Sequence, residues 1–280
     1  MYLLPVKDSR EFEITFQFPS INDLYLQKPE RYLAHLLGHE GPGSVLSVLK
    51  KLGYGLSLSA GCTFQAAGFS FFKVSIELTQ LGLEKIDDIV TLVFQYIALL
   101  KREGAKEWIY AECKKLADIN FRFREKKRAS SYTSSTVAQM NLHPGRYIFA
   151  GSLFFQYDAA LIEKFIGLLT PENMRIFVVS QELVARDGME LEKEPWYGTQ
   201  YRVESLPADF TKLLVSPPEN PALALHPPNE FIPENLALLP TDPADVSPPL
   251  PLPFSTATIL TRHPLAHTTE GPLSFADQGL

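Results

Sequence analysis

Cysteine is scarce in this sequence: Cys62 and Cys113 are the only two in 280 residues. Two thiols cannot build a disulfide framework or a cysteine-based zinc site, and they suit a reducing, cytoplasmic compartment. Long hydrophobic runs are missing too. The longest, Ile89 to Leu100, is interrupted by Thr91 and Gln95 and is too short to span a bilayer. No basic segment followed by an apolar one opens the chain, so neither a secretory signal nor a membrane partner is expected. Positive charge is in deficit: 26 Lys and Arg against 32 Asp and Glu leave a net charge of -6, which disfavours a nucleic-acid surface. Several catalytic signatures are absent as well. There is no Gly-x-Ser-x-Gly elbow, no phosphate loop, no dinucleotide fingerprint, and no complete H-x-x-E-H or H-E-x-x-H.

What is present has an uneven distribution. Of 22 prolines, 14 fall between Ser216 and Leu280, and the last lysine is Lys212. Proline fixes φ and removes backbone donors, so a Pro-rich disordered tail is expected over 241–280, with a linker over 216–240. Residues 1–215 read as one α+β unit. In "EFEITFQF", Phe12, Ile14, Phe16 and Phe18 alternate with polar residues, the period of a half-buried strand. "FKVSIEL" repeats that pattern with Phe72, Val74, Ile76 and Leu78.

Helical spacing alternates with these strands. Tyr32 to Glu40 reads as a helix stopped by Gly41-Pro42-Gly43. Ser44 is placed to cap the next, with Val45, Leu46, Val48, Leu49 and Leu52 as its apolar face and Gly53 as its stop. Leu83, Ile86, Val90, Val93, Ile97 and Leu100 mark a long amphipathic helix, and "WIYAECKKLADINFRF" reads as another. "RIFVVS" is a short buried strand. The order predicts an antiparallel-rich sheet covered by helices on one face.

The stretch "RYLAHLLGHEGPG" holds the chemistry. His35 and His39 are four apart, so on a helix both imidazoles leave the same face one turn apart. Such pairs bind zinc in peptidases, where a nearby Glu takes a proton from the metal-bound water. Glu40 is adjacent. On a continuous helix, however, it lies about 200° around the axis from position 38, at 100° per residue. A third ligand is also required, and spacing selects neither Glu107 nor Glu112. His143, His226, His263 and His267 stand isolated or in the tail. Catalytic and metal-binding residues are therefore expected to be absent. The basic run Arg122, Arg124, Lys126, Lys127 and Arg128 reads as a solvated helix end.

"YLAHLLGHEGPGSVLSVLKKLGY", "WYGTQY" and "NEFIPENLALLP", in that order, resemble the second domain of the insulin-degrading-enzyme (insulysin) group of pitrilysin-type zinc metallopeptidases. The resemblance runs from about Leu4 to Pro240 and implies a LuxS/pitrilysin metallopeptidase-like fold. It implies also that "HLLGH" is a degenerate copy of the H-x-x-E-H motif, with Gly38 where the catalytic Glu would stand. Zinc would then belong to a separate first domain, with no cofactor in this chain. The resemblance assigns a substrate exosite to Arg31, Ala34, His35, Gly38 and Glu40, and to Leu58, Ser59, Ala60 and Gly61 of the following strand. There an extended peptide would add at a sheet edge with its N-terminus held. Arg31, where relatives carry His, and Ala34 and Ala60, where they carry Gly, depart from the pattern. The implied partners are peptide substrates and the zinc-bearing first domain. The alternative is a catalytically dead, stand-alone interaction or scaffold module.

Overall fold

The computed structural model describes residues 1–182 and 190–237. The tail expected over 241–280 lies outside the described residues. Met1–Asn229 form one compact unit. Of the second unit, residues 230–237 are described; they hold no regular element, and Ala237 donates its backbone N–H to Asn235 Oδ1.

The unit is built on a seven-stranded sheet: β1 (Tyr2–Leu4), β2 (Arg10–Pro19), β3 (Gly55–Gln65), β4 (Phe69–Leu78), β5 (Met174–Ser180), β6 (Glu192–Lys193) and β7 (Gln200–Arg202). Their order across the sheet is β3-β4-β2-β5-β1-β7-β6. All pairings are antiparallel except β1 with β5, so the sheet is mostly antiparallel, as expected. Period-two burial sets its two faces. Phe12, Ile14, Phe16 and Phe18 of β2 and Phe72, Val74, Ile76 and Leu78 of β4 are all buried. The opposite face carries polar pairs such as Lys73 Nζ to Glu13 Oε1 at 2.8 Å.

Helices pack over the apolar face: α1 (Pro29–Leu37), α2 (Val45–Leu52), α3 (Gln80–Leu83), α4 (Ile86–Glu103), α5 (Glu107–Arg122), α7 (Ala159–Gly167) and α8 (Ala208–Val215), while α6 (Ala129–Leu142) buries no residue. The long amphipathic stripe is divided: Leu83 ends the short α3, while Val90, Val93, Ile97 and Leu100 form the buried stripe of α4. No described helix is long and apolar enough to cross a membrane. Ser44 caps α2 by accepting the Ser47 N–H at 3.1 Å, and Gly53 closes it in the left-handed region at φ 71°. Leu52 departs from expectation. Expected on the apolar face of α2, it is 48% exposed in the last turn of that helix.

Two further differences bear on the site. The helix expected to run through Glu40 stops at Leu37. Gly38 takes the C-cap, donating its N–H to the Ala34 carbonyl, and Glu40 lies in the turn beyond. Residues 216–229, the first part of the expected linker, run along the body as a strap. Asn220 Nδ2 donates to Gln95 Oε1 at 2.9 Å, Ala224 donates to the Gly43 carbonyl at 3.0 Å, and Leu223 is buried. Gly43 is needed there for two reasons. Its φ is +83°, and a Cβ would meet the Ala224 carbonyl oxygen at 2.9 Å.

Candidate functional site

Helix α1 lies against the edge strand β3 through its smallest residues. A Cβ built on Gly38 would be 3.5 Å from the Ala60 nitrogen and 3.8 Å from its Cβ, and one on Gly61 would be 3.9 Å from the Ala34 Cβ. The remaining face of α1 buries Tyr32, Leu33, Leu36 and Leu37. β3 pairs with β4 alone among the described strands, so its outer backbone faces away from the sheet. Register shifts at Gly55/Ser57 and Cys62/Phe64 bound a regular stretch that includes Leu58 to Gly61.

The sequence-derived exosite residues separate on this frame. Arg31, Ala34 and His35 line a cavity of about 520 Å³ with α5 residues Cys113, Ala117 and Asn120. Arg31, Ala34 and Gly61 line a second, of about 420 Å³, with Lys28 and Cys62. Gly38 and Ala60 form the helix–strand contact. Glu40 and Ser59 are exposed, and neither lines these cavities. Leu58 is 6% exposed and belongs to the core.

The position of the missing base is closed sterically as well as chemically. A Cβ on Gly38 would come within 2.7 Å of the Ala34 carbonyl oxygen, so a glutamate there would force the backbone to move. With no base at position 38, the "HLLGH" motif does not fit a catalytic zinc, and no hydrolytic step runs through it. His39, the second histidine of the pair, is turned to another task. Its Nδ1 accepts the Gly41 N–H at 3.1 Å, and its ring stacks on His226, with centroids 4.4 Å apart and planes at 9°.

His226, isolated in the sequence, is not isolated in the fold. The strap carries it to α1 and α5, where it is 4% exposed. His226 Nε2 lies 3.2 Å from His35 Nε2, across 191 residues of chain. Glu112, 8% exposed in the middle of α5, places Oε1 3.6 Å from His35 Nε2 and 4.0 Å from His226 Nδ1. Its other oxygen accepts the Asn229 N–H at 2.9 Å. His226 Nδ1 sits 2.9 Å from the Pro227 carbonyl; since a carbonyl only accepts, Nδ1 carries the proton and Nε2 keeps its lone pair. Burial, reinforced by the neighbouring His226, lowers the His35 pKa to about 4 against the pull of Glu112, so His35 is neutral at physiological pH. His39 is lowered too, first by desolvation. In the sequence, spacing does not select Glu112, and His226 stands isolated. No local signal links them to His35.

The profile described as "Peptidase M16 inactive domain" matches residues 2–116, and that described as "Middle or third domain of peptidase_M16" matches residues 121–255. This chain belongs to the peptidase M16 family. The Saccharomyces cerevisiae A-factor-processing enzyme is 40% identical over 233 residues, covering 82% of this chain and 22% of that protein. Human insulin-degrading enzyme is 38% identical over 241 residues, covering 86% of this chain and 23% of that protein. The chain thus spans less than a quarter of the length of these M16 relatives. The crystal structure of pitrilysin shares the fold at a TM-score of 0.78 and 23% identity, over 89% of this chain and 26% of pitrilysin. The degenerate "HLLGH" therefore stands in a chain that carries the M16 inactive domain, the assignment that the resemblance of its motifs implied.

Proposed function

We propose that this chain is the non-catalytic, substrate-holding part of an M16-type zinc endopeptidase. In this reading 1–215 act as the holding domain, and peptide hydrolysis belongs to a zinc-bearing first domain that closes over it. An extended peptide lies along the outer edge of β3, with its free N-terminus toward Glu40. The observation that carries the reading is the position of β3. It is an edge strand that pairs with β4 alone among the described strands, and its regular stretch, Leu58 to Gly61, adjoins α1 through small residues. Strand addition supplies main-chain hydrogen bonds worth about 0.5–1.5 kcal/mol each. Ordering a flexible peptide costs more than about 1 kcal/mol per residue. Binding by this half alone is therefore weak, with Kd on the order of 0.1 mM or higher.

Titration of the chain with one strand-forming peptide, bearing either a free or an acetylated N-terminus, tests the reading. The free peptide binds more tightly to wild type, and Glu40→Gln removes that preference. Equal binding of both peptides to both proteins would assign α1 and β3 to packing alone.

A further inference from the structure

We propose that His35, Glu112 and His226 form a binding site for one zinc-class divalent cation, which ties α1, α5 and the 216–229 strap together. The proposal does not rest on the peptide-edge reading. Among the described residues, these three can each offer one ligand atom, with all such atoms within 4.8 Å of one another. Two imidazoles and one carboxylate make a donor set that suits zinc, cobalt or nickel rather than calcium or magnesium, which prefer all-oxygen shells.

Two donor separations match those around a shared cation, and all three ligand atoms lie within 4.8 Å of one another. Metal–nitrogen bonds of about 2.0–2.1 Å at a tetrahedral angle separate two ligand nitrogens by about 3.3 Å. His35 Nε2 and His226 Nε2 are 3.2 Å apart. Glu112 Oε1, at 3.6 Å from His35 Nε2, is too far for a good hydrogen bond but within the span of ligands around one ion.

The surrounding groups hold the donors in place through hydrogen bonds and ring contacts. The Pro227 carbonyl accepts a hydrogen bond from Nδ1–H of His226 and so frees Nε2. The Asn229 N–H holds one oxygen of Glu112 and leaves the other toward the histidines. His39 stacks on His226, and Trp108 meets the same ring edge-on at 5.3 Å, which restricts its rotation. Coordination needs His35 as its Nδ1–H tautomer; without metal, its Nε2–H bridges to His226. Three protein ligands leave a position for solvent.

Cobalt(II) titration of the full chain carrying Trp196→Phe tests this, because Trp108 is then the only tryptophan. One Co²⁺ per chain gives the visible absorption band of a tetrahedral site and quenches Trp108 fluorescence, and Zn²⁺ displaces it. Zn²⁺ at a hundredfold excess over Kd raises Tm by about 5–10 °C. Glu112→Gln and His226→Asn each weaken binding by more than the roughly 10–100-fold typical of losing a group that only hydrogen-bonds to a ligand. Their circular dichroism melts establish that they fold. His263→Gln with His267→Gln leaves the band unchanged. Absence of a stoichiometric Co²⁺ band would overturn the proposal. So would a band that survives in folded Glu112→Gln and His226→Asn, or one that disappears with the tail histidines.

Discussion

Lys28 shows how much one residue can be asked to hold. It is the one described non-glycine residue with positive φ, at 51°, and it precedes Pro29 at the start of α1. Its side chain is buried, donates from Nζ to the carbonyls of Ala150 and Leu153, and lies over the Phe154 ring. Desolvation, followed by repulsion from Arg31, lowers its pKa from 10.5 to about 7. The folded value lies below the unfolded one, so between about pH 7 and 10.5 the unfolded chain binds more protons. Stability therefore rises with pH across that window. Below about 7 the amine is charged in both states, and the full desolvation penalty applies. Denaturation of wild type and Lys28→Met between pH 7 and 9 checks this. Wild type gains stability relative to Lys28→Met as pH rises, whereas parallel curves would mean that the amine is solvated.

At the scale of elements, the turn after α1 does several things within a few residues. Gly38 ends the helix against β3, Gly43 lets the strap pass, and Ser44 starts α2. The Ser44 hydroxyl accepts the Ser47 N–H, and its side chain is buried, so water cannot replace the bond. Ser44→Ala should lower stability by about 1 kcal/mol in urea unfolding, with Ser44→Asp retaining most of it. An alanine variant as stable as wild type would mean that α2 is positioned by packing alone. The strap is the other decisive element. Leu223 and His226 are its buried anchors, and Asn220 and Ala224 its polar ones.

The whole unit closes around aromatic contacts between sheet and helices. Phe18 of β2 stacks on Phe72 of β4 at 5.2 Å and meets Phe165 of α7 edge-on at 5.1 Å. Phe16 lies against Phe94 of α4 at 6.2 Å. Phe18→Ala would leave a cavity where two strands and a helix converge, so the expected loss is about 3–5 kcal/mol, measured from the denaturation midpoint at constant m-value. A loss below about 1 kcal/mol would show that the sheet and α7 repack freely there.

Local periodicity determined much of this by itself. Alternation in β2 and β4, the three-four spacing of α4, and the Ser44 and Gly53 boundaries of α2 were legible because each is set by residues a few positions apart. The same is true of the absent base, since one glycine at position 38 removes it. The short strands β1, β6 and β7 were not legible. They are two or three residues long, and pairing across the whole chain places them, as with Tyr2 opposite Val178. Leu52 and the stop of α1 at Leu37 likewise depended on what lies opposite them. Tertiary structure alone decided the meeting of His35, Glu112 and His226. Donors 191 residues apart leave no spacing to read, and only the strap returning over Gly43 and alongside α5 brings them within reach of one ion.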